Sequence, residues 1–129
     1  MSLVIERLIV FAREGNLEYV RNFVSTNIRT HFSTADKNLA LEMCRKDPNQ
    51  NVRYLGAMIL CESDFPLNWS DVNDLEDVLV KDPSDIVQYR IALSLYRRKH
   101  RTPIVLQKMA LAFKHPEVRP LVFAAINAR

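Results

Sequence analysis

Asp47-Pro48-Asn49-Gln50-Asn51-Val52-Arg53-Tyr54-Leu55-Gly56-Ala57 and Asp82-Pro83-Ser84-Asp85-Ile86-Val87-Gln88-Tyr89-Arg90-Ile91-Ala92 are one phrase written twice, 35 residues apart. Asp, Pro, Val and Ala fall at matching offsets without a gap. A third copy, His115-Pro116-Glu117-Val118-Arg119, follows with its proline 33 residues further on and aligns once two residues are deleted. Each phrase is preceded by a helical apolar pattern: Leu39-Ala-Leu-Glu-Met-Cys, Leu75-Glu-Asp-Val-Leu-Val and Leu106-Gln-Lys-Met-Ala-Leu. The unit is helix, short turn, helix, and a repeat of this period predicts stacked helical hairpins.

The chemistry of the turn points the same way. Proline fixes φ and lacks an N–H, so it suits the first helical position and breaks a helix interior. An Asp before it accepts a backbone hydrogen bond at a helix N-terminus. Asp47-Pro48 is therefore expected to end one helix and start the next, and short linkers imply antiparallel neighbours.

The phrase resembles the HEAT-like repeats, in particular the short form related to the phycobilisome lyase repeats. In that family Asp-Pro, a few polar residues, Val-Arg and a small residue open the second helix of each hairpin. Asp47, Pro48, Val52, Arg53 and Ala57 fit. Asp82, Pro83, Val87 and Ala92 fit with Gln88 in the place of the Arg, and Pro116, Val118 and Arg119 fit loosely. The resemblance covers roughly residues 34–128, in keeping with the repeat period, and it identifies a fold class without an activity. Gly15-Asn16-Leu17-Glu18-Tyr19-Val20 is similar to an ankyrin helix start, but no Thr-Pro-Leu-His follows.

At 129 residues, 48% apolar with 2 Gly and 6 Pro, the chain has the size of one domain and a composition that favours helix. No run of about 18 apolar residues is present to span a membrane. Glu6 and Arg7 interrupt the apolar N-terminal stretch, which argues against a signal peptide. A cytoplasmic protein is expected. Cys44 and Cys61, the only cysteines, read either as buried thiols or as a disulfide or metal pair. No CxxC or neighbouring His supports the metal site.

Eight helices in four hairpins are expected, at about 2–14, from 17, 33–46, 49–62, 71–81, 84–99, 103–114 and 117–128, forming an all-α, alpha-alpha superhelix as one domain, 1–129. Gly15 reads as a C-cap and Asn16 as an N-cap. The expected core is Val20, Leu39, Val52, Leu55, Ile59, Val87, Ile91, Leu95, Leu106 and Leu121. If the last helix starts near Glu117, Pro120 falls in its first turn; an earlier start would give a kink.

One connection is long, 63–71, and holds Phe65, Pro66, Leu67 and Trp69, the only Trp. These residues either fold back over the groove between hairpins, or Trp69 and Phe65 are aromatic anchors for a partner.

Charge is segregated. Residues 62–85 carry eight acids and one base, net −7; residues 86–129 carry nine bases and one acid, net +8; residues 1–61 carry eight bases and six acids, net +2. The densest basic run is Arg97-Arg98-Lys99-His100-Arg101, at an expected helix C-terminus. There it either complements the helix dipole or contacts phosphate through Arg97, Arg98, Lys99 and Arg101. Some HEAT-like proteins, the alkylpurine DNA glycosylases of that superfamily among them, grip DNA with basic residues on the concave face; this chain is much shorter and shows no matching set of base-stacking aromatics, so the resemblance carries over the fold alone.

His31, His100 and His115 lack metal-ligand spacing, and His115 stands where Asp47 and Asp82 stand, as a capping residue. No nucleophile motif accompanies Thr30, Ser33 and Thr34, and glycine is too scarce for a phosphate loop. No catalytic, metal or cofactor residue is assigned. A non-catalytic protein-interaction module is expected, with nucleic-acid binding by the basic C-terminal helices as the alternative and an unknown protein as the main partner.

The ends complete the expectation. A solenoid needs polar capping faces, whereas Leu3, Val4, Ile5, Leu8, Ile9, Val10 and Phe11 at one end and Val118, Leu121, Val122, Phe123, Ala124, Ala125 and Ile126 at the other are apolar on more than one face. Covering one such face would remove apolar area worth roughly 25 cal/mol per Å². Self-association or a partner is expected at one end, or else internal packing that consumes both faces.

Overall fold

The computed structural model describes residues 3–128, and of Arg29, Thr30 and His31 the backbone alone. Among these residues the chain is all-α: α1 Leu3–Arg13, α2 Leu17–His31, α3 Thr34–Lys46, α4 Gln50–Glu62, α5 Trp69–Lys81, α6 Asp85–Arg97, α7 Pro103–Ala112 and α8 Arg119–Asn127. They group into two compact units, Met1–Pro66 and Leu67–Arg129.

In the first unit α4 is the central helix and packs against α1, α2 and α3. In the second, α6 packs against α5, α7 and α8. These two helices are the ones that the repeated phrase opens. Each is buried nearly all round, as a central helix must be: Val52 and Tyr54 through Cys61 in α4, and Val87, Gln88 and Arg90 through Leu95 in α6. Cys44 and Cys61 are buried thiols, and neither is in a disulfide.

The turns depart from expectation in a regular way. Asp47 and Asp82 are not N-caps of the following helices; they are C-caps of α3 and α5, with extended backbone, the region favoured before proline. Each carboxylate reaches two residues forward: Asp47 Oδ1 accepts from the Asn49 N–H at 2.9 Å, and Asp82 Oδ1 from the Ser84 N–H at 2.8 Å. The N-cap duty passes to Asn49, whose side chain accepts from the Asn51 and Val52 N–H groups. His115 repeats the device with a different atom, its Nδ1 accepting from the Glu117 N–H at 3.3 Å; that bond requires the tautomer protonated on Nε2.

The Arg-to-Gln change between repeats is also functional equivalence. Arg53 donates to the carbonyls of Asp47 and Pro48 at 3.1 Å each, and Gln88 Nε2 donates to the Asp82 carbonyl at 2.6 Å. Both side chains reach back over the turn to occupy carbonyls of the helix C-cap and, for Arg53, of the turn itself.

Helix ends elsewhere follow local rules. Gly15, at φ +83, closes α1: its N–H bonds the Ala12 carbonyl and the Asn16 N–H bonds the Phe11 carbonyl, a Schellman motif. Asn16 precedes α2 but makes no side-chain cap bond. Asp36 and Asp71 sit at N3 and accept from the N–H of Ser33 and Asn68 at 2.8 and 3.0 Å, the capping-box contact. The last helix starts at Arg119 because 113–118 form turns, so Pro120 lies in its first turn and costs no helical bond.

One expected core residue is wrong. Leu106 is 47% exposed, and α7 buries Val105, Met109 and Ala112. Those three lie at i, i+4 and i+7, one residue out of phase with the expectation. Leu39 and Leu121 are half-buried; the other seven expected core residues are buried.

Candidate interaction surface

The basic run turns out to be a helix terminus whose side chains are largely engaged at home. Arg98 is the C-cap of α6. Its guanidinium donates to the Ser94 hydroxyl at 2.6 Å and to the Ser94 carbonyl at 3.3 Å. Lys99 takes φ +69, its N–H bonds the Tyr96 carbonyl, and the His100 N–H bonds the Leu95 carbonyl. This is the Schellman motif of Gly15 built with a lysine. His100 Nε2 meets Glu76 of α5. Arg101 lies over the Tyr96 ring, 4.0 Å from its centroid, and its Nε donates to the Tyr96 carbonyl at 3.4 Å. Arg97, Lys99 and Arg101 are exposed and Arg98 is half-buried. The cluster therefore completes a helix end before it offers charge to anything else.

A left-handed conformation suits glycine and strains other residues by roughly 1–2 kcal/mol. Lys99→Gly is accordingly expected to be about 1 kcal/mol more stable than Lys99→Ala in urea unfolding. Comparing these two removes the charge from both sides. Equal stabilities would show that Lys99 carries no conformational strain.

The long connection divides its aromatics. Phe65 is half-buried and, with Pro66, lines a depression of about 350 Å³ beside Ile28, Phe32 and Ser63. Trp69 opens α5 and is 80% exposed, held by the Asn68 capping box just before it. Of the two expected anchors, Trp69 alone is presented outward.

A concave apolar surface lies at the N-terminal end, where the sequence shows an uncovered apolar face but singles out no aromatic anchor. Val4, Leu8, Val10 and Phe11 of α1 and Tyr19 and Phe23 of α2 line an open groove of about 470 Å³, with Arg7 as its only charged lining residue among those described. The short Gly15 turn sets α1 against α2 and brings three rings together. Phe11 and Tyr19 have centroids 4.7 Å apart, and Tyr19 and Phe23 stack at 6.3 Å. Val10 is 54% exposed and Tyr19 is also exposed. The signal for this site was the two-faced apolarity of α1, which leaves residues over after Ile5, Leu8 and Ala12 are buried. α8 leaves Phe123 and Ile126 exposed in the same way.

Among the described residues no three His, Cys, Asp or Glu side chains stand as a metal-binding group. Tyr89 is held above the ordinary phenol range by burial and then by the Asp85 carboxylate. No described helix is long and apolar enough to cross a membrane. The side chain of His31 lies outside the described residues. Compared with family models, curated proteins and solved structures, the chain finds no match.

Proposed function

We propose that the chain is a non-catalytic interaction module of the HEAT-like type, a cytoplasmic adaptor that docks partner proteins on the α1–α2 groove. The groove itself carries the reading: a concave, aromatic-lined surface between two helices with one cation in its wall. Two facing helices with apolar residues at helical spacing accept the apolar face of a third helix. Tyr and Phe supply rigid contact area at low entropic cost, and aromatic anchors dominate interface energies. The buried cysteine thiols suit a reducing compartment.

The test places a photo-crosslinking amino acid at Val10 in the groove or at Asn38 on the polar, exposed side of α3. Protein adducts are expected at Val10 and not at Asn38, and they should be competed by the unmodified protein. Equal labelling at both positions would remove the reading. The alternative, nucleic-acid binding through the basic run, predicts salt-sensitive retention of duplex or single strands. Such retention, lost on neutralising Arg97, Lys99 and Arg101, would replace the adaptor reading.

A further inference from the structure

Among the described residues the α1–α2 groove sets a single cation among apolar groups. Arg7 is exposed and has no hydrogen-bond or ion-pair partner among the described residues, and no acid lines the groove with it. An occupant that satisfies both features is an acidic helix that presents an aromatic anchor and a carboxylate on one exposed face, and this chain carries one. On α5, Trp69, Asn73, Asp77 and Val80 follow at intervals of four, four and three, which places them on one helix face. All four are exposed, Trp69 at 80% and Val80 at 66%. Asp77 pairs with Lys81 at 3.0 Å, but both side chains are in solvent, where such a pair exchanges at little cost.

Charge decides between α5 and the other exposed apolar faces. Segment 62–85, which contains α5, has net charge −7. Leu106 and Leu111 of α7 and Phe123 and Ile126 of α8 lie in segment 86–129, at net +8, and would bring like charge to Arg7.

We infer that α5 of one copy docks in the α1–α2 groove of a second copy, with Trp69 entering the cluster of Phe11, Tyr19 and Phe23 and Asp77 meeting Arg7. The inference rests on the groove being a docking face, as proposed above, and names its occupant. The two surfaces differ, so the contact is heterologous. Each copy keeps one groove and one α5 open, and assembly proceeds to a ring or a chain.

Because Trp69 is the only Trp, its emission reports the contact directly. Analytical ultracentrifugation and fluorescence over a concentration series are expected to show oligomers larger than a dimer and a blue shift that grows with concentration. Arg7→Glu and Trp69→Ser change exposed residues and leave the helices intact by circular dichroism; each alone is expected to weaken association by about tenfold or more. Mixed in equal amounts, the two variants retain one intact groove and one intact α5 between them. The expected product of the mixture is a one-to-one dimer and nothing larger. Arg7→Glu combined with Asp77→Lys is expected to restore association. A wild-type protein that stays monomeric with unshifted emission overturns the inference, as does a mixture that stays monomeric while the wild type assembles. Val10 crosslinks to a different protein, with no self-association, would likewise overturn it while leaving the adaptor reading in place.

Discussion

Gly56→Ala is expected to destabilise the first unit by about 1–3 kcal/mol, against the sign that helix propensity predicts. In an exposed helix the same change would stabilise by about 1 kcal/mol. Here α3 and α4 touch through backbone. A Cβ on Gly56 would lie 2.6 Å from the Ala40 carbonyl oxygen, 3.0 Å from the Cys44 nitrogen and 3.1 Å from Met43 Cβ. Two of these neighbours are main-chain atoms in a helix, which cannot swing aside as a long side chain can. Relief requires α3 to move away from α4, and that opens contacts along the whole helix pair. Urea denaturation followed by circular dichroism measures the effect. A midpoint equal to or above that of the wild type would mean that the two helices separate without loss. At the matching place in the second repeat stands Ile91, fully buried. One position of the repeat thus serves close helix approach in the first unit and core filling in the second.

That difference shows where the sequence is legible and where it is not. The repeated Asp-Pro phrase located α4 and α6, and these are the helices on which each unit is centred. It did so because turn chemistry is local: an Asp before proline, a capping residue after it, and an Arg or Gln six residues on act within one turn of chain. Asp47 and Asp82 are the turn residues expected, each ending one helix and accepting a backbone hydrogen bond before the next, but the N-cap position itself falls two residues on, at Asn49 and Ser84. Sequence spacing alone does not distinguish a carboxylate that caps a helix from one that caps the turn two residues before it. The α1–α2 groove was less legible. Apolar excess on α1 was visible, but the meeting of Phe11, Tyr19 and Phe23 depends on how the Gly15 turn sets two helices together. The basic run was visible as charge, while its ties to Ser94, Tyr96 and Glu76 are tertiary or capping contacts that a charge count does not contain.

Leu95→Ala is expected to cost the second unit about 2–5 kcal/mol, and Leu106→Ala to stay within about 0.5 kcal/mol of the wild type. Both leucines belong to the core expected from the sequence, both lie on helices of the same unit, and both substitutions remove the same atoms. Only their surroundings differ. Leu95 has no exposed surface, and truncating it leaves a cavity that the neighbours of α6 close only in part; Leu106 is 47% exposed and loses few contacts. The sequence misplaces Leu106 because Pro103-Ile104-Val105-Leu106 and Met109-Ala110-Leu111-Ala112 are apolar on every side. A helix without a polar face gives its hydrophobic pattern no phase, so packing against α6 chooses Val105, Met109 and Ala112. Thermal or urea unfolding of the two variants, prepared side by side, makes the comparison. Similar losses from both would mean that Leu106 is covered in solution. The apolar surface of α7 would then have to be counted among the interfaces of the protein, alongside the α1–α2 groove.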